Sequence, residues 1–247
     1  MDDLRLKLRT ALAFAADVAA ETIWPTRCAV CDVPGELLCA DCARKLPSID
    51  QCLACPTCGA PYGRVQCTEC NATVLAAANL SRFPLDGLTS TFIADDATRR
   101  IVKTYKDQGE RRLARTIAKS IALCVPPAWL DQPSALTFVP DTKASMRRRG
   151  FDHARELANL TAAMLGCDCL GLLERPKSID QRALTRAERF ANMADAIELC
   201  PAIPPLPRVI LLDDVCTTGA TLYAAAATLR RAGIQQVFAT TFCRVLD

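Results

Sequence analysis

The segment Val209-Ile210-Leu211-Leu212-Asp213-Asp214-Val215-Cys216-Thr217-Thr218-Gly219-Ala220-Thr221-Leu222 joins an apolar run, two adjacent carboxylates and a hydroxyl-rich turn. An apolar strand that stops at two acids and passes through a Gly-containing turn into a helix puts those acids at the carboxyl end of a strand. That is where open α/β sheets bind ligands. The turn and the start of the helix expose free backbone N–H groups, and the hydroxyls of Thr217, Thr218 and Thr221 add donors. Together they form a cradle suited to an anion such as phosphate.

Cysteine supplies the second chemistry. The chain carries 15 Cys and a single His, His153. Cys28-x2-Cys31-x7-Cys39-x2-Cys42 is followed by Cys55-x2-Cys58-x8-Cys67-x2-Cys70. Two CxxC pairs at that separation describe a zinc ribbon, in which four thiolates enclose one Zn2+ and leave no position open for water. Zinc holds thiolates at neutral pH because it lowers their pKa. Cys28, Cys31, Cys39 and Cys42 form the first expected site, and Cys55, Cys58, Cys67 and Cys70 the second, for two structural zinc ions. Cys52-x2-Cys55 allows an earlier register for the second site. Cys58-Gly59 makes the better knuckle and favours the later one. The tandem pattern outweighs a redox-active reading of the CxxC pairs.

These groups need elements to position them. Residues 1–24 have the spacing of an amphipathic helix, with Leu4, Leu8, Ala11, Leu12, Ala15 and Val18 on one face, ended by Pro25. Residues 25–72, poor in long apolar runs and rich in Cys, Pro and Gly, require a staple other than a hydrophobic core and form the double zinc ribbon. Residues 73–247 alternate strand and helix. Strands are expected at Leu88–Ala94, Ala135–Val139, Leu170–Leu173, Val209–Asp213 and Val237–Phe242. Helices are expected at Thr98–Tyr105, Arg111–Leu123, Phe151–Leu165, Thr185–Ala196 and Ala220–Ala232. Such alternation argues for an α/β domain with a mostly parallel sheet and flanking helices.

Composition narrows the function classes. At 247 residues, 51% hydrophobic and 23% charged, the chain is neither disordered nor fibrous. No apolar stretch reaches the roughly 18 residues of a membrane helix, so membrane insertion is not expected. The start, Met1-Asp2-Asp3, does not read as a secretory signal, and a cytoplasmic location is expected. The formal charge of +3 becomes roughly −1 once eight thiolates (about −8) and two zinc ions (about +4) are counted. Net charge therefore gives no case for nucleic acid. A Ser-hydrolase elbow and an NTPase P-loop are both absent from the sequence.

The 209–222 segment resembles the phosphoribosyl pyrophosphate (PRPP) motif of type I phosphoribosyltransferases. With the tandem cysteine repeat ahead of it, the chain resembles the ComF/GntX family of late-competence proteins. Val139-Pro140 with Arg149-Gly150-Phe151 is similar to one family segment. Gln181, Leu184, Arg189 and Asn192 are similar to a second. The resemblance runs from Cys28 to the end of the chain. It implies a type I phosphoribosyltransferase-like sheet behind the double zinc ribbon. It also implies that Asp213 and Asp214 contact the ribose as catalytic residues, and that Asp213, Asp214, Val215, Cys216, Thr217, Thr218, Gly219, Ala220 and Thr221 hold PRPP. Mg2+ would bridge the pyrophosphate and ribose oxygens. Asp141, Thr142, Lys143, Arg147, Arg149 and Arg189 are the weaker candidates for the pyrophosphate or acceptor side.

Two departures from the family pattern stand out. Asp152-His153 replaces its Asn-Gln, and Asp141-Thr142-Lys143 replaces apolar and Pro residues. His153 reads as structural or solvated more readily than as a base. Arg147-Arg148-Arg149 suits pyrophosphate or a single-stranded DNA backbone. Two functions stay open: transfer of the phosphoribosyl group to an unidentified acceptor, or a non-enzymatic PRPP- and single-stranded-DNA-binding role with DNA-uptake proteins as partners.

Overall fold

The computed structural model describes residues 25–77, 80–175, 197–201 and 204–246. The expected helices over 1–24 and Thr185–Ala196, and the candidates Gln181, Leu184, Arg189 and Asn192, lie outside the described residues. The chain divides after Leu46 into two compact units, so the two cysteine quartets fall in different units.

In the first unit, backbone bonds from Cys28 N–H to the Val33 carbonyl and from Asp32 N–H to the Cys28 carbonyl fold the first CxxC into a tight turn. Asp32 takes a left-handed φ of 63° there. The second CxxC opens helix α1 (Ala40–Lys45), which the sequence reading did not anticipate.

The second unit is built on a five-stranded sheet. In chain order its strands are β1 (Gly87–Ile93), β2 (Ser134–Phe138), β3 (Asp168–Cys169), β6 (Arg208–Cys216) and β7 (Gln236–Arg244), arranged β1-β7-β6-β2-β3. Every neighbour pair is parallel. The short strands β4 (Leu173–Glu174) and β5 (Glu198–Leu199) form a separate antiparallel pair. Of the expected strand Leu170–Leu173 only Leu173 lies in a strand, β4; β3 has already ended at Cys169, and residues 170–172 connect the two sheets.

The helices are α2 (Ala72–Ala77), α3 (Asp96–Lys106), α4 (Leu113–Ala122), α5 (Lys143–Arg149), α6 (His153–Leu165) and α7 (Ala220–Arg231). Local chemistry fixes their ends. Asp95 and Thr98 form a reciprocal capping box at the start of α3. Asp152 caps α6, and Gly166 ends it in a left-handed conformation.

Alternation along β6 decides what each face carries. Val209 and Leu211 pack with Leu222, Ala225 and Leu229 of α7 in one buried cluster, and Ile210 belongs to another with Trp129 and Phe238. The second cysteine module joins the same unit. Leu88 N–H of β1 bonds to the Thr57 carbonyl, and the buried Arg244 guanidinium donates to the Cys58 carbonyl at 2.5 Å. Gly59, with φ 69°, lies so close that a Cβ would fall 2.3 Å from the Leu88 carbonyl oxygen. Only glycine fits that approach.

Candidate functional site

The acids sit where the sheet changes its hydrogen bonding. Contrary to the sequence expectation, β6 does not stop at Asp213 but runs on to Cys216. The reason is its neighbour: β7 extends to Arg244, so Asp213 pairs with Thr241, Val215 with Cys243 and Cys216 with Arg244. On the other side β2 has already ended at Phe138, opposite Leu212. Asp213 and Asp214 thus lie at the carboxyl end of the central strand, beside the loop that leaves β2.

The two acids differ, although their sequence reads alike. Asp214, 7% exposed, faces the α3 and α6 side. Its Oδ2 is 2.5 Å from Lys106 Nζ and 3.4 Å from His153 Nε2. Burial disfavours its charge, but Lys106 and His153 overcome that and hold the carboxyl well below the usual range. Asp213, half-buried, accepts the Asp214 N–H at 2.8 Å and lines the shallow pocket on the α7 side with Val215, Cys216, Thr217, Gly219, Ala220, Thr221 and Leu222. Burial and the Asp214 charge push it up to about 7. One acid is tied into the protein and the other is open to a ligand.

The turn after β6 is shaped by Gly219, whose φ of 75° precedes α7. A Cβ at Gly219 would lie 2.6 Å from the Tyr223 ring. The Thr218 hydroxyl oxygen accepts from Ala220 N–H at 3.4 Å, and Thr217 is exposed.

A buried chain of charges runs from Asp214 into the loop after β2. His153, 4% exposed, contacts Asp141 Oδ2 through Nδ1 while Nε2 faces Asp214. The Arg149 Nη1 donates to Asp141 Oδ1 at 3.1 Å, and its Nε donates to Asp107 at 3.1 Å. Burial opposes the imidazolium, yet the two carboxylates win and raise the His153 pKa. Burial likewise opposes the charge of Asp141, and His153 and Arg149 lower it. Tyr105 OH bonds the His153 carbonyl at 2.7 Å, and Arg111 holds Glu156 and lies over Phe151 at 5.2 Å.

The two departures from the family pattern, Asp141 and His153, are therefore partners. His153 is buried between the two carboxylates, so it is not solvated. Thr142 caps α5, whereas Lys143 and Arg147 are exposed. Arg148 is surface-exposed, at 3.8 Å from Asp107. The Arg run is thus split: Arg149 is internal while its two neighbours face solvent.

Lys106, Tyr105 and Arg175 were missed from the sequence. Lys106 is the last residue of an amphipathic helix, and nothing local distinguishes it from a solvated lysine. Arg175 is half-buried and senses the charges of Asp213 and Asp141, although burial lowers its pKa.

The sulfurs of Cys28, Cys31, Cys39 and Cys42 lie within 4.8 Å of one another, as do those of Cys55, Cys58, Cys67 and Cys70. Cys52 is exposed and outside the second cluster, so the later register is the one that converges. Burial, then contacts with Cys67 and Cys55, push Cys70 up to about 12. Four thiols so close ionise together only around a cation, which fits an all-thiolate zinc site.

No family model matches the chain. It is 30% identical over 145 residues to competence protein F of Haemophilus influenzae, covering 56% of this chain and 63% of that protein, under two thirds of its length. It is 26% identical over 235 residues to the DNA utilization protein YhgH of Salmonella typhi, covering 90% of this chain and 98% of that one. The chain belongs to the ComF family. In this ComF protein the sheet domain is phosphoribosyltransferase-like. The chain is 30% identical over 128 residues to the adenine phosphoribosyltransferase of Gluconobacter oxydans, covering 49% of this chain and 69% of that enzyme. Among the described residues, no helix is long and apolar enough to cross a membrane.

Proposed function

We propose that this ComF protein binds PRPP with Mg2+ at the carboxyl end of β6 and transfers its phosphoribosyl group to an acceptor. The observation that carries the reading is the pairing of an open carboxylate, Asp213, with the Thr217–Thr221 turn in one pocket ahead of α7. Asp213 would accept from a ribose hydroxyl. The turn's N–H groups and hydroxyls would hold the 5′-phosphate. The double ribbon expected over 25–72 would hold one zinc in each compact unit, its second quartet belonging with the phosphoribosyltransferase-like sheet expected over 73–247. The zinc ions are structural.

Mg2+ would arrive with the substrate beside Asp213 and would neutralise charge on the leaving group. The protein's part is positioning and charge. As the bond from C1′ to the pyrophosphate oxygen breaks, Asp213 and Asp214 offset the positive charge developing on the ribose ring. Lys106 on Asp214, Arg149 on Asp141, and Arg175 in the field of Asp213 and Asp141 would favour a departing anion. The acceptor's nucleophilic atom then bonds C1′ and releases its proton. Exchange of labelled pyrophosphate into PRPP, surveyed with a panel of nucleobases, tests this. Exchange that requires one base names the acceptor, and no exchange with any base removes turnover from the proposal.

A second reading, binding of single-stranded DNA without catalysis, is favoured by the name of the YhgH relative and by solvent-facing Arg147 and Arg148. DNA binding that is abolished by changes at those two positions and unaffected by PRPP would support it.

A further inference from the structure

We propose that His153 is a positioning residue whose doubly protonated ring latches the loop after β2 onto the acid pair of β6, so that ligand affinity follows its protonation. The inference rests on the reading of this end of the sheet as the PRPP site.

The geometry suits two protons. Nδ1 faces Asp141 Oδ2, and Nε2 lies 3.4 Å from Asp214 Oδ2. A neutral imidazole has one N–H, so its other nitrogen would point a lone pair at a buried carboxylate. Only the imidazolium donates to both. The bridge also stands at a seam. The backbone connection between β2 and β6 ends with Val139 N–H on the Leu212 carbonyl at 3.0 Å. Beyond that bond, Asp141 on one segment and Asp214 on the other are joined through His153. Losing one donor loosens the loop relative to Asp213 and Asp214.

Several charged groups face the ring. Asp141 comes from the loop after β2, Arg149 from α5 with Nη1 3.4 Å from Nδ1, Tyr105 and Lys106 from α3, and Asp213 and Asp214 from β6. Lys106 opposes protonation and the acids favour it, with the balance above the ordinary 6.5. The sign follows: the latch is closed below that value and opens as pH rises through the raised one.

The chain has one His, so its side-chain nitrogen signals need no assignment. In the untagged, zinc-loaded protein, 15N NMR should show both ring nitrogens protonated at pH 7 and a midpoint above 6.5. The midpoint should fall in Asp141→Asn. Neutral-tautomer shifts at pH 7, or a midpoint at or below 6.5, overturn the proposal. PRPP with Mg2+ is then titrated from pH 6 to 9. Wild-type affinity should fall about tenfold per unit beyond the measured midpoint. His153→Gln, which keeps one donor, should bind more weakly at pH 7 and lack this alkaline limb. An alkaline limb shared by both proteins overturns the latch. A wild type that binds no PRPP at any pH refutes the proposed function, and the NMR result alone then decides the bridge.

Discussion

Replacing each acid of the pair by Asn should separate stability from binding. Asp214 and Lys106 form an ion pair at 2.5 Å, with side chains 8% and 20% exposed, and His153 Nε2 lies 3.4 Å from the same oxygen. In Asp214→Asn Lys106 loses its counter-charge in a buried site. Removing one partner of such a pair costs about 3–5 kcal/mol. Asn keeps one acceptor oxygen and Lys106 retains some solvent, which places the loss near 3 kcal/mol. For a domain of this size each kcal/mol moves Tm by roughly 2–4 °C, so the midpoint should drop by about 6–12 °C. Asp213→Asn should behave oppositely. Burial already pushes Asp213 up to about 7, so neutralising it relieves a penalty at pH 8. The Asn oxygen still accepts the Asp214 N–H. Tm should hold or rise, while PRPP affinity falls about ten- to hundredfold through loss of one charge-assisted hydrogen bond of roughly 1.5–3 kcal/mol. Differential scanning calorimetry and isothermal titration on the same preparations separate the two effects. Equal melting of the two variants, or a destabilised Asp213→Asn with intact affinity, would refute the division of labour.

The remaining expectations are shorter. Elemental analysis should give about two zinc per chain, one lost in Cys55→Ser and none in Cys52→Ser. Because the second quartet is bonded to β1 and Arg244, losing its metal should lower the melting point of the sheet domain, whereas Cys31→Ser should leave that transition in place. Gly219→Ala should strain a φ of 75° and crowd Tyr223, costing more than about 1 kcal/mol and weakening ribose 5-phosphate as well as PRPP. Double substitution of Arg147 and Arg148 by Ala should leave Tm unchanged. A flatter salt dependence of single-stranded DNA binding would then give them a backbone contact, and a weaker PRPP affinity would give them to pyrophosphate.

Ligand-free stability should also carry the signature of Asp213. Its folded pKa is raised, so this group lowers stability as pH climbs from about 4 towards 7, and PRPP affinity should rise over the same interval. A urea-denaturation series across that range checks the first half, and the acid limb of the binding profile checks the second.

Much of the frame was legible because its signals are local. Apolar runs bounded by Pro or Gly marked β1, β2, β6 and β7 to within a few residues, and paired CxxC spacing marked both sulfur clusters. The end of β6 was misplaced because a strand's length depends on its neighbour, and β7 keeps bonding past both acids. Helix α5 and the break between β3 and β4 escaped for the same reason, since short elements lean on tertiary contacts more than on propensity. The cysteine quartets assembled as written. The charge chain was not legible as a chain. Lys106, Asp141, Arg149, His153 and Asp214 come from five separate elements, and only the parallel stacking of β2 and β6 brings the acids to opposite nitrogens of one ring.

Calorimetric titration of the wild-type protein with PRPP, in the presence and absence of Mg2+ at pH 7.5, tests the central claim most directly. The account predicts saturable binding that is strengthened by Mg2+, weakened by Asp213→Asn and competed by ribose 5-phosphate. No heat of binding with Mg2+ present, from a preparation carrying two zinc ions and a cooperative melt, would contradict it.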